Sequence, residues 1–166
     1  MEIQDIVRAQ YVKRWNIVGT DFDQSMAEHT FNVVFIARAI CKHMNIDDVH
    51  VIKAALEHDL DEVITGDIPT PGKERLRRHG VDPNIIRDER KHVRKDSMVD
   101  AIVKVADTIE SVYFIHNHGN TRHAKIVKDK MMVRMDEMLA NTGGGVELEM
   151  AGRFILDKLL HGDHEI

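Results

Sequence analysis

The chain has 166 residues, 43% of them hydrophobic and 31% charged, a balance that suits one folded domain and excludes a disordered chain. Its net charge of -5 excludes a nucleic-acid scaffold, which needs a basic face, but allows a small anionic substrate in a locally basic pocket. No apolar run reaches the roughly 20 residues that span a bilayer, the acidic start Met1-Glu2-Ile3-Gln4-Asp5 lacks the order of a signal peptide, and the lone Cys41 excludes an intrachain disulfide, so a cytoplasmic compartment is expected.

Helical periodicity dominates the chain, and no alternating strand pattern runs longer than a few residues. Ile3, Ile6, Val7 and Ala9 predict a short first helix. Ser25-Met26-Ala27-Glu28 reads as a capping box, and the helix behind it puts Val33, Val34, Ile36, Ala37, Ile40, Cys41 and Met44 on one broad apolar face. Asp47 or Asp48 can cap a next helix, with Val49, Ile52, Ala55, Leu56, Val63 and Ile64 as its apolar face and Gly66 as its stop. Pro69-Thr70-Pro71-Gly72 reads as a loop, and the basic stretch from Lys73 to Lys95, broken by Gly80 and Pro83, as loops with one short helix. Asp96 can cap a long helix through Ala101, Ile102, Val105, Ile109, Val112 and Tyr113 to near Gly119. Another runs from about Thr121 to Ala140, with Met131, Met132, Met135 and Met138 as core filler. Asn141-Thr142-Gly143-Gly144-Gly145 is a flexible loop, and a last helix covers about Val146 to Leu160. The expected fold is an all-α helical bundle forming a single domain over residues 1–166.

Histidine is over-represented, at eleven residues. His79, His92, His116, His118, His123, His161 and His164 share no spacing that fixes a metal and are expected on the surface. Three other places stand out: His29, the pair His58-Asp59, and Asp107. Each falls among apolar positions of a predicted helix, where an unpartnered charge is costly. Imidazole nitrogen and carboxylate oxygen together suit a divalent first-row metal. Four such ligands from three helices would leave positions open for water and a phosphate oxygen.

The order H…HD…D over three helices resembles the HD-domain superfamily of metal-dependent phosphohydrolases. That resemblance makes His29, His58, Asp59 and Asp107 the metal ligands, with Zn²⁺, Co²⁺ or Mn²⁺ as the expected ion. The stretch from Leu56 to Lys73, with Thr65-Gly66-Asp67-Ile68-Pro69-Thr70-Pro71, looks like the motif of bacterial 5′-deoxynucleotidases, and Arg14-Trp15 and Glu28-His29 match them too. Arg14-Trp15-Asn16-Ile17 is more similar to the short viral dATP triphosphohydrolases of phages that replace adenine with 2-aminoadenine.

Arg14 can clamp phosphate oxygens with its planar fork, with Lys73 and Lys104 as further phosphate-binding candidates. Glu62, one helical turn beyond the HD pair, can orient the attacking water or carry a proton to the leaving oxygen. Asp67 can join that proton network, hold an additional Mg²⁺, or cap the turn after Gly66. Glu110 is left without a role. Trp15 can stack on a base, and Ile17 can close the pocket edge against a 2-amino group or simply pack in the core. The resemblance implies hydrolysis of dATP to deoxyadenosine and triphosphate, by a homo-oligomer of two to six chains that binds a small deoxynucleotide and neither nucleic acid nor membrane. A 5′-deoxynucleotidase acting on monophosphates is the alternative, ahead of a non-catalytic nucleotide sensor and of alarmone hydrolysis.

Overall fold

The computed structural model describes residues 3–83 and 97–162. Short helix α1 (Ile3–Val7) runs into a 3₁₀ turn at Arg8–Tyr11, and α2 spans Met26–Met44. Then come α3 (Val49–Glu57), α4 (Glu62–Thr65), α5 (Thr70–Arg78), α6 (Ser97–His118), α7 (Arg122–Ala140) and α8 (Gly145–His161). Among the described residues the fold is all-α, with no strand and no helix long and apolar enough to cross a membrane.

The helices α2 and α6 form the centre, flanked by α3, α7 and α8. The capping box that starts α2 is present in both directions: Ser25 accepts from the Glu28 backbone, and Glu28 accepts from the Ser25 backbone. Asn45 ends α2 in a left-handed conformation at φ 54°. Val33, Ala37, Ile40 and Cys41 of α2 are fully buried against Ile102, Val105, Ala106 and Ile109 of α6. Met135 is fully buried, and Met131, Met132 and Met138 are partly buried against the same core. Burial pushes the Cys41 thiol up to about 11, helped by Asp48 and Asp47, so it is a packing group.

Two expectations need correction. The helix expected to continue to Gly66 stops at Glu57, and residues 58–61 form tight turns: Leu60 donates to the Glu57 carbonyl at 3.3 Å and Glu62 to that of Asp59 at 2.9 Å. The expected apolar stripe is interrupted there, and Val49, Leu56 and Ile64 are exposed. The expected Pro69–Gly72 loop is instead largely the first turn of α5, with Pro71 where a missing N–H costs nothing. Of the two expected caps of α3, Asp47 accepts from the Val49 backbone at 3.0 Å, while Asp48 stands at the N-cap position without a side-chain hydrogen bond to the helix. The Asp96 cap, His92 and His164 lie outside the described residues.

The loop between the first turns and α2 is stitched at both ends. Isolated bridges pair Lys13 with Ser25 and Thr20 with Gly119, and the Arg14 backbone donates to the Gln24 carbonyl at 2.9 Å. Gly19 is required there, since a Cβ would lie 2.3 Å from Thr121 Cγ2.

Candidate active site

The capping box places His29 one turn into α2 on its inward face, where the side chain is fully buried. Asp107 and Glu110 lie one turn apart on α6, facing it. The turns after α3 bring His58 and Asp59 toward the same point, a convergence that an unbroken helix would not give two consecutive residues.

His29, His58, Asp59 and Asp107 each offer a ligand atom, and these atoms lie within 4.8 Å of one another. His29 Nε2 is 3.4 Å from Asp107 Oδ1 and 3.7 Å from Asp59 Oδ2, and it is buried with no hydrogen-bond partner. His58 donates through Nδ1 to the Ala55 carbonyl at 2.7 Å, while its Nε2 lies 3.2 Å from Asp59 Oδ2. Two imidazole nitrogens turned toward two carboxylates are a donor set that fits a divalent metal ion.

The electrostatics agree. Burial favours the protonated form of Asp59, but His58 and Arg14 outweigh it and hold the carboxyl below its usual range. Burial also opposes ionisation of Asp107, which the adjacent His29 imidazole and the charge of Lys104 hold well below that range. Burial alone would depress His29, but the neighbouring carboxylates of Asp107 and Glu110 raise it. The pocket is thus strongly anionic and attracts a cation.

Cationic side chains rim it. Arg14 reaches Asp59 Oδ2 with Nη1 at 3.3 Å and Ser111 Oγ with Nη2 at 3.4 Å, while its Nε is buried without a partner. Lys104 is half exposed and lies 3.1 Å from Asp107 Oδ2. Lys73 donates to Glu62 Oε1 at 3.2 Å, and Glu62 Oε2 is buried without a partner. Burial, then the charges of Asp59 and Asp67, pushes the Glu62 carboxyl up to about 7 against the pull of Lys73. Asp67 is half-buried, and its carbonyl accepts from Asn16 at 3.3 Å, which ties the Trp15 turn to the loop before α5.

Trp15 takes a left-handed φ of 60° and stacks on Phe114, with ring centroids 5.6 Å apart. One ring face is therefore covered, and the indole N–H is engaged by Gln24 at 2.9 Å. Ile17 sits in the adjacent turn and is 54% exposed, so it does not pack in the core. A cleft of about 500 Å³ borders this region, with Phe22, Phe31, Tyr113 and Phe114 among its walls.

Sequence reasoning left two buried residues without a role. Glu110 accepts from His29 Nδ1 at 2.5 Å, from Gln24 Nε2 at 2.6 Å and from Asn32 Nδ2 at 3.2 Å. The signal for Glu110 was its i,i+3 relation to Asp107. Gln24, in a loop, gave none.

The chain matches the HD domain family over residues 6–151. It is 34% identical over 142 residues to the dATP triphosphohydrolase of Salmonella phage PMBT28, covering 75% of this chain and 71% of that one. It is 33% identical over 76 residues to the 5′-deoxynucleotidase VV1113 of Vibrio vulnificus, covering 41% of this chain and 38% of that one. Among solved structures it resembles the Cyanophage S-2L HD phosphohydrolase (DatZ) bound to dA and one catalytic Zn²⁺ ion, with a TM-score of 0.81, 26% identity and 97% of each chain covered.

Proposed function

Because the chain belongs to the HD-domain family of phosphohydrolases, we propose that it is a metal-dependent dATP triphosphohydrolase, converting dATP and water to deoxyadenosine and triphosphate. The observation that carries this reading is the convergence of His29, His58, Asp59 and Asp107 to within 4.8 Å, with Arg14 and the Glu62–Lys73 pair around it. The similarity to a phage dATP enzyme extends over 75% of the chain and that to a 5′-deoxynucleotidase over 41%, which favours the triphosphate substrate.

His29, His58, Asp59 and Asp107 are the ligands in this reading. Zn²⁺ is the favoured ion because the structural relative holds it, with Co²⁺ and Mn²⁺ as substitutes that the same donors accept. A bound dication supplies Lewis acidity to a phosphoryl oxygen and lowers the pKa of water. Arg14 exchanges its Asp59 contact for phosphate oxygens, Lys73 and Lys104 add charge along the triphosphate, and Asp67 is the acid that can hold an additional Mg²⁺. Glu62 takes a proton from the attacking water as its oxygen bonds to the α-phosphorus. It returns that proton to O5′ as the bond from phosphorus to O5′ breaks. A carboxyl poised at about 7 can do both near neutral pH. Trp15 and Ile17 form the base side of the site, the indole offering the face that Phe114 leaves open. The enzyme works as a homo-oligomer in the cytoplasm, a state that size-exclusion chromatography with light scattering measures.

The test is a chromatographic assay of dATP, dADP, dAMP and the other deoxynucleotides with Zn²⁺, Co²⁺ or Mn²⁺. Deoxyadenosine and intact triphosphate should appear together from dATP, without dADP or dAMP on the way. Phosphate release from dAMP with dATP inert would instead establish the 5′-deoxynucleotidase reading that the Vibrio relative supports. Tight nucleotide binding with no turnover would establish a sensor.

A further inference from the structure

Building on the reading of His29 as a metal ligand, we propose that Trp15, Gln24 and Glu110 form a one-way hydrogen-bond relay that fixes the His29 tautomer and couples metal binding to the indole at the substrate side. The direction of the relay follows from donor chemistry. An indole N–H can only donate, so the Gln24 atom 2.9 Å away must be the amide oxygen. That turns the Gln24 NH₂ toward Glu110 Oε1 at 2.6 Å, where Asn32 Nδ2 also donates at 3.2 Å. The carboxylate can only accept, so its other oxygen accepts a hydrogen bond from His29 Nδ1 at 2.5 Å. With that proton on Nδ1, the lone pair of His29 Nε2 faces Asp59 and Asp107, on the atom that is buried without a hydrogen-bond partner.

The relay has no equivalent reverse setting. Turning the Gln24 amide over would set its NH₂ against the indole N–H and its oxygen against the carboxylate. Gln24 is 2% exposed, and His29 and Glu110 are fully buried, so such a mismatch would be held inside the protein. Glu110 is therefore a positioning residue: it acts on the metal through the imidazole, as outer-shell carboxylates orient metal-bound histidines. Gln24 carries the same constraint to Trp15, whose φ of 60° and stacking on Phe114 leave the ring little freedom to adjust alone.

Trp15 is the sole tryptophan, so it reports on its own relay. The experiment titrates Zn²⁺, which has no quenching d–d transitions, into the metal-stripped full chain, followed by calorimetry and by tryptophan emission. Imidazole ¹⁵N spectra of the Zn²⁺-loaded chain give the tautomer. The wild-type chain should bind Zn²⁺ with a change in Trp15 emission and show Nδ1 protonated at His29. Glu110→Gln cannot accept at both ends, so Zn²⁺ affinity should fall ~10–100-fold and the imidazole signature should change. Gln24→Met should bind Zn²⁺ more tightly than Glu110→Gln does but lose the emission response, which keeps the test decisive if Glu110→Gln fails to fold. Wild-type affinity with an unchanged imidazole signature in folded Glu110→Gln would overturn the proposal, and so would a preserved emission response in Gln24→Met. A wild-type chain that binds no Zn²⁺ would overturn the metal reading itself, and the relay with it.

Discussion

Replacing Glu62 with Gln should slow the enzyme and at the same time stabilise the protein. Burial and the charges of Asp59 and Asp67 raise the Glu62 carboxyl from 4.5 to about 7. At 1.36 kcal/mol for each tenfold step, the ionised group costs the folded state on the order of 3 kcal/mol. The folded carboxyl holds its proton more tightly than the unfolded one. The cost is therefore absent below about pH 4.5, grows as the pH rises, and is complete above about 7. Glutamine has nearly the same shape and never ionises. Metal-stripped Glu62→Gln should thus melt several degrees above wild type at pH 8, at about 2–4 °C per kcal/mol for a chain of this size, and by much less at pH 5. Turnover of dATP should fall ~10²–10⁴-fold, the usual worth of a proton-transferring group, while bound metal stays constant. In the wild type, kcat/KM should rise with pH and level off at or below about 7, because a nearby dication favours the carboxylate, and the variant should lack this limb. Calorimetric melts at both pH values, a chromatographic rate assay and metal analysis check the set. Equal melting differences at pH 5 and pH 8, or a rate within a few-fold of wild type, would refute the reasoning.

Asp59→Asn should abolish both turnover and metal retention, because Asp59 is one of the four clustered residues and an amide is the poorer ligand; elemental analysis after dialysis gives the outcome. Ile17→Ala should raise kcat/KM for dGTP and the 2-aminoadenine triphosphate by ~10–200-fold relative to dATP. Because Ile17 is 54% exposed, the melting temperature should scarcely move, and an unchanged substrate ratio would place selectivity elsewhere. Gly19→Ala forces a Cβ to within 2.3 Å of Thr121 Cγ2, so it should destabilise the fold by about 1–3 kcal/mol in denaturant melts.

The long helices were legible because each carries a buried stripe of the right period. The Ser25–Glu28 box marked the start of α2, and Thr121 caps α7 through the Ala124 backbone at 3.1 Å. The cluster was legible as four residue types in a characteristic order. What periodicity could not show was the break at 58–61, because Val63 still falls in an apolar register with Ala55. The start of α5 was obscured by reading its prolines only as turn formers, although proline is also favoured in the first turn of a helix. Gln24 acquires its role from the loop folding back onto α6, a contact between positions 86 residues apart that no local pattern encodes.

The four clustered side chains come from distant parts of the chain: one near the start of α2, two just past α3 and one in α6. An ion held by all of them would act as a removable staple, closing two long loops that the unfolded chain leaves open. Its grip would then count toward folding as well as chemistry, adding about 2.7 kcal/mol when free metal exceeds its Kd a hundredfold. Starved of the ion, the same polypeptide would unfold more readily, so metal supply would govern how long each molecule lasts as well as how fast it works.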